Sequence, residues 1–140
     1  MNTSFKIGYS FSEKRMFTEH ELKKFAKDCG DMNPVHHDSD FANNTRFSSI
    51  IASGSALSAI FSAMIPSHFC QFSPMLGLEM SFQFLNPVKP HRDILMTWRI
   101  TKIISKTSTD QLIELLGEIT DHEGKALITS SAKVILLPEL

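Results

Sequence analysis

The 140-residue chain has two cysteines, Cys29 and Cys70, a single tryptophan and a net charge of −1. Each scarcity removes a class of protein. Two thiols without CxxC spacing supply neither a disulfide scaffold nor a redox motif, and they read as reduced, intracellular groups. The histidines (His20, His36, His37, His68, His91, His122) are dispersed, so no zinc spacing forms and no metal is expected. Balanced charge with scattered lysines and arginines argues against a nucleic-acid binder that works through the phosphate backbone. Long hydrophobic runs are missing too. The opening MNTSFKIGYSFSEK lacks the apolar stretch of a signal peptide, and the most apolar segment, residues 56–65, is too short and serine-rich to span a bilayer. A cytoplasmic protein without a membrane partner is the expectation. No repeat, low-complexity tract or linker divides the chain, so 1–140 reads as one domain long enough to bury a core.

What is present is periodic. After an expected strand around residues 12–17, Thr18-x-x-Glu21 fits a capping box, in which each side chain satisfies the other's free backbone N–H. Leu22, Phe25, Ala26 and Cys29 follow as one apolar helical stripe, and Gly30 stands where a left-handed residue ends a helix. A short helical turn over Ser39–Asn43, with Asp38 as its N-cap, is expected next. A second helix is predicted from about 55 to 65, stopped by Pro66. Leu57, Ile60, Phe61 and Met64 form its stripe, while Ala56, Ala59 and Ala63 leave almost no charged face, so this helix should be buried nearly all round. From Met75 the period becomes two. Met80, Phe82 and Phe84 alternate with Ser81 and Gln83, and Ile94, Met96, Trp98 and Ile100 follow the same rule. Two more strands, near 112–120 and 126–137, flank the turn Asp121-His122-Glu123-Gly124. Long strands after one buried helix predict an α+β fold, an antiparallel sheet wrapped around that helix.

The chemistry concentrates in GDMNPVHHD, residues 30–38. A carboxylate and an imidazole, Asp31 and His36, lie on a loop tightened by Asn33-Pro34, where one can take a proton while the other gives one. Asn33 can hold the loop or orient the imidazole. The residue types alone also allow Asp31 to cap a turn and His36 to be an ordinary loop histidine. Gly54 precedes the apolar helix. Its missing Cβ permits close approach of a ligand, and free N–H groups at a helix N-terminus suit a carbonyl oxygen that gains negative charge. Ser55, Ser58 and Ser62 form the polar stripe on that helix, fitted either to a ligand or to tight helix packing.

These residues resemble the MaoC-like dehydratases, in particular the (R)-specific enoyl-CoA hydratases of the hot dog fold. The matching positions are Phe25, Cys29-Gly30-Asp31-x-Asn33-Pro34-Val35-His36, Ala42, Thr45-Arg46-Phe47, Ser53-Gly54 and Phe84-Leu85-x-Pro87-Val88, within residues 17–137. The resemblance implies a hot dog domain in which Asp31 and His36 hold and activate the water added across a trans-2-enoyl thioester. The Gly54 N–H would bind the thioester oxygen, and Ser62 falls where some of these hydratases place a further active-site serine. Asn33, Ser53, Ser55, Ser58 and Arg46 are the candidate substrate-binding residues. The implied product is an (R)-3-hydroxyacyl-CoA, formed without metal or redox cofactor by a homodimer acting on a CoA or acyl-carrier-protein thioester.

The chain departs from the family at Ser53, where a histidine is usual before the glycine. It departs also at Asp28, and at His91-Arg92, where a glycine is often found. His37 lies either at the pocket mouth or in solvent, and Arg46, Lys89 and Arg92 are either solvated or near the phosphates of CoA. Two other functions compete. A hot dog thioesterase needs a carboxylate on the central helix, and residues 54–65 contain none. A non-catalytic acyl-thioester or acyl-carrier-protein binding module would have no need to keep Asp31 and His36 together with Asn33 and Gly54.

Overall fold

The computed structural model describes residues 5–105 and 110–138. Strand β1 (Ser10–Met16) leads into helix α1 (Glu19–Cys29), and a 3-10 turn (Pro34–His36) and short helix α2 (Ser39–Asn43) follow. The long helix α3 (Gly54–Phe69) then precedes four strands, β2 (Met75–Phe84), β3 (Asp93–Ser105), β4 (Gln111–Asp121) and β5 (Ala126–Leu136). The strands form one antiparallel sheet in the order β1-β3-β4-β5-β2.

Local signals act where the sequence puts them. The Glu21 N–H donates to Thr18 Oγ1 at 3.1 Å while the Thr18 N–H donates to Glu21 Oε1 at 3.0 Å. Gly30, at φ 84°, ends α1 in the left-handed region that a side chain would disfavour. Helix α1 buries Leu22 and Ala26, and α3 turns Phe61, Ile65 and Phe69 onto the sheet. Facing them are the alternate residues Met96, Trp98 and Ile100 of β3, Ile113, Leu115 and Ile119 of β4, and Val134 of β5. The sheet thus curls around α3, and the fold is the hot dog fold.

Two expectations about α3 need correction. Pro66 lies inside the helix rather than after it. Its missing N–H leaves the Ser62 carbonyl without its helical donor, but the loss falls in the last turn, where Phe69 is still anchored in the core and the Cys70 N–H closes back on Pro66 O. Nor is α3 buried all round. The sheet and α1 cover two of its faces, and Ser55, Ala59, Ala63 and Ser67 form an open third face of small residues.

Among the described residues, both sheet edges are free in the single chain. On edge strand β2, Leu76 and Leu78 are about half exposed, as is Phe84 at its end. Unpaired backbone beside apolar side chains is a surface that invites another strand.

Candidate active site

The loop after α1 is shaped by its own short-range bonds. Asp31 Oδ1 accepts the Asn33 N–H at 3.1 Å, and Asn33 Oδ1 accepts the Val35 N–H at 3.3 Å. Pro34 supplies the fixed φ that starts the 3-10 turn, and the turn sinks Val35 and His36 into the protein. The Asn33 side chain is therefore committed to building the turn.

His36 is held from behind. Its Nδ1 lies 2.9 Å from the Ile51 carbonyl oxygen, which can only accept, so Nδ1 carries the proton. In the neutral ring the other nitrogen, Nε2, is then a lone-pair acceptor, and it faces Asp31 Oδ2 at 3.4 Å. Two acceptors at that separation need hydrogens between them. Either His36 is protonated and donates to Asp31, or a water molecule beside the pair donates to both. That is the geometry of a coupled acid/base pair. His37 turns its Nε2–H to the Asp31 carbonyl and so supports the loop.

Ser53 fixes the other side of Asp31. Its Oγ donates to Asp31 Oδ2 at 2.5 Å and accepts the Ala56 N–H at 3.2 Å, which makes it the N-cap of α3. One buried hydroxyl therefore links the carboxylate to the start of the helix. This bond is the main cause that holds the Asp31 carboxyl below its ordinary 3.8; the Asn33 N–H and the His36 ring act in the same direction, against partial burial. Ser53→Ala should move Asp31 back up. A group with a depressed folded-state pKa contributes stability above its ordinary pKa, and that contribution is lost as pH falls through the lowered value. The variant should thus lose stability at neutral pH, including about 1 kcal/mol for the vacant cap. The acid limb of its pH–rate profile should move to higher pH. An unmoved limb, with the fold intact, would show that Ser53 does not tune Asp31.

Gly54 opens α3 beside a cavity of about 320 Å³ lined mainly by apolar side chains. His36, Arg46 and Gly54 reach it, with Phe47, Leu57 and Ile128 among its apolar walls. A Cβ on Gly54 would lie 2.9 Å from the Phe84 ring, so this glycine lets the ring close over the helix start. Asp31 is not in the lining; its Oδ2 reaches the site through His36 Nε2, 3.4 Å away.

The structure thus brings His36, Gly54 and Arg46 to one cavity, with Asp31 joined to His36 and Ser53 joined to Asp31. The others fall elsewhere. Ser55 is on the open face of α3, Ser58 Oγ donates to the Gly54 carbonyl at 2.7 Å, and Ser62 Oγ donates to the Ala59 carbonyl at 3.0 Å. None of these three lines the cavity of the single chain. Sequence reasoning gave no part to the Ile51 carbonyl, which every residue type can offer. It also missed Ile128, which reaches the site only through the pairing of β5 with β2 and β4.

The MaoC like domain matches residues 2–120. The chain belongs to that family. Its fold superposes on an R-hydratase from Pseudomonas aeruginosa with a TM-score of 0.80 at 26% identity, covering 97% of this chain and 84% of that one. The (R)-hydratase from A. caviae involved in PHA biosynthesis gives a TM-score of 0.83 at 25% identity, covering 98% and 100%. The mitochondrial 3-hydroxyacyl-(acyl-carrier-protein) dehydratase FERN of Solanum lycopersicum is 30% identical over 131 residues, 94% of this chain and 77% of that protein. With the family established, Asp31 and His36 stand in the stretch on which the resemblance rests. Among the described residues no helix is long and apolar enough to cross a membrane.

Proposed function

We propose that this MaoC-like chain reversibly hydrates trans-2-enoyl thioesters to (R)-3-hydroxyacyl thioesters. The observation behind this reading is the convergence of Asp31 Oδ2 and His36 Nε2 at 3.4 Å, where His36 lines an apolar cavity that also meets the N-terminus of α3. A water held beside the two groups donates one hydrogen to each. Its oxygen forms the new bond to C3, one of its protons passes to the pair, and the pair returns a proton to C2. As the C2–C3 double bond is consumed, negative charge gathers on the thioester oxygen. The Gly54 N–H, at the positive end of the α3 dipole, binds that oxygen in this reading. Delivery of oxygen and hydrogen from one wall makes the addition syn. The apolar lining receives the acyl chain, and the step draws on no metal or redox cofactor.

The names of the relatives favour the same chemistry, since those proteins are R-hydratases and a 3-hydroxyacyl-(acyl-carrier-protein) dehydratase. A homodimer belongs to this reading. Leu76 and Leu78 on the free β2 edge, with Phe84 and Leu85 exposed beside the cavity mouth, make an apolar strip that a second copy would cover.

The decisive assay follows the enoyl-thioester absorbance after purified protein is mixed with crotonyl-CoA or a longer 2-enoyl-CoA. Absorbance should fall without release of free thiol, and the product should be the (R)-alcohol. Release of thiol would indicate hydrolysis. An unchanged signal with both enoyl-CoAs and with the crotonyl acyl-carrier-protein thioester would leave a binding module as the better account.

A further inference from the structure

A second concavity, of about 220 Å³, shares Asn86 and Pro87 with the acyl cavity. Lys89 and Arg92 reach it from the connection between β2 and β3, and Asp121 and Lys125 from the β4–β5 turn. Three cations and one carboxylate leave it a net charge of +2. The carboxylate is already engaged, since Asp121 Oδ1 accepts the N–H groups of Glu123 and Lys125, each at 2.9 Å. Among the described residues, no salt bridge involves Lys89, Arg92 or Lys125, whereas Lys24 and Lys133 each have a carboxylate partner. Like charges gathered around one concavity repel, and they make it a receptor for a ligand of opposite sign.

We propose that this second cavity binds the phosphate-rich end of a coenzyme A thioester, with the shared Asn86–Pro87 wall leading the carrier's arm to the acyl cavity. The proposal rests on the thioester-hydratase reading and names its carrier. Charge and shape both favour this ligand. A single phosphodiester, as on the arm of an acyl carrier protein, would answer one cation, while three cations call for several phosphates. An acidic protein face would be matched by cations spread over an open surface, and these three converge on a hollow. Arg92 offers a planar fork suited to two phosphate oxygens, and the two lysines act as mobile point charges.

The test combines binding and turnover on the full chain with Lys89→Gln, Arg92→Gln and Lys125→Gln combined, and with Arg92→Gln alone as a milder variant at an exposed position. Calorimetric titration with coenzyme A should show binding to the parent protein that weakens as salt rises. The affinity should drop at least about tenfold in the triple variant and by a smaller factor in the single one. The ratio of kcat/KM for crotonyl-CoA to that for phosphate-free crotonyl-pantetheine should collapse toward one in the triple variant. Unchanged coenzyme A affinity in the triple variant would overturn the proposal, as would no binding to the parent. So would a triple variant that loses turnover only with an acyl-carrier-protein thioester, which would assign the cluster to a protein carrier. If the parent hydrates none of these thioesters, the hydratase reading fails, and coenzyme A titration still decides whether this cavity takes phosphates.

Discussion

Asp31→Asn should lower the hydration rate by at least about a hundredfold, and His36→Ala should do the same, since positioned acid/base groups contribute factors of that order. The amide that takes the carboxylate's place can still accept the hydroxyl of Ser53 or the N–H of Asn33, so the loop keeps part of its bonding, but it cannot take a proton from water. His36→Ala removes the ring that lines the cavity and faces Asp31 Oδ2. In the proposed mechanism the two groups act on one water, so removing both should cost little more than removing either. Turnover of crotonyl-CoA measured beside thermal unfolding separates lost chemistry from lost fold. Two well-folded variants with full activity would sink the assignment of this pair.

Gly117→Ala should produce the largest loss of stability from a single added methyl. Gly117 pairs with Trp98 across β3 and β4, and a Cβ there would lie 2.6 Å from the Trp98 ring and 2.8 Å from Phe61. Neither ring has room to retreat. Trp98 is fully buried, stacks on Phe61 at 4.4 Å, and donates its indole N–H to the Phe61 carbonyl at 3.0 Å. Overpacking of this kind costs about 2 kcal/mol, or roughly 5–10 °C in Tm for a chain of this size. Calorimetry checks this, with the emission of the buried Trp98 as a second probe. An unshifted Tm would mean that the sheet yields where the packing says it cannot.

The sequence carried the elements whose causes are local. The Thr18/Glu21 box, the Gly30 stop, the Asp38 cap and the period-two strands each rest on a few neighbouring residues, and each formed where those residues stand. Pro66 misled because a proline in a last turn forfeits one bond, while the burial of Ile65 and Phe69 on either side keeps the helix going. The chemical loop was legible for the same local reason. The bond from Ser53 to Asp31 was not, because twenty-two residues separate them and α3 must be docked before the hydroxyl meets the carboxylate. Ser55, Ser58 and Ser62 form one stripe by spacing, yet their hydroxyls serve helix carbonyls or face outward, which no periodicity could distinguish from a ligand contact.

In the proposed reaction the groups that handle protons and charge, Asp31, His36, Ser53 and Gly54, all come from the helical part of the chain, whereas the cavity residues Phe84, Val88 and Ile128 come from the sheet and its connections. The sheet thus adds walls to a cavity whose other apolar walls, Phe47, Ile51 and Leu57, share the helical stretch with the proposed acid/base pair. Strand positions around the cavity can drift, lengthening or blunting the space for the acyl tail, while the proton-handling stretch stays intact. A mutational library meant to retarget this scaffold belongs on Phe84, Val88 and Ile128.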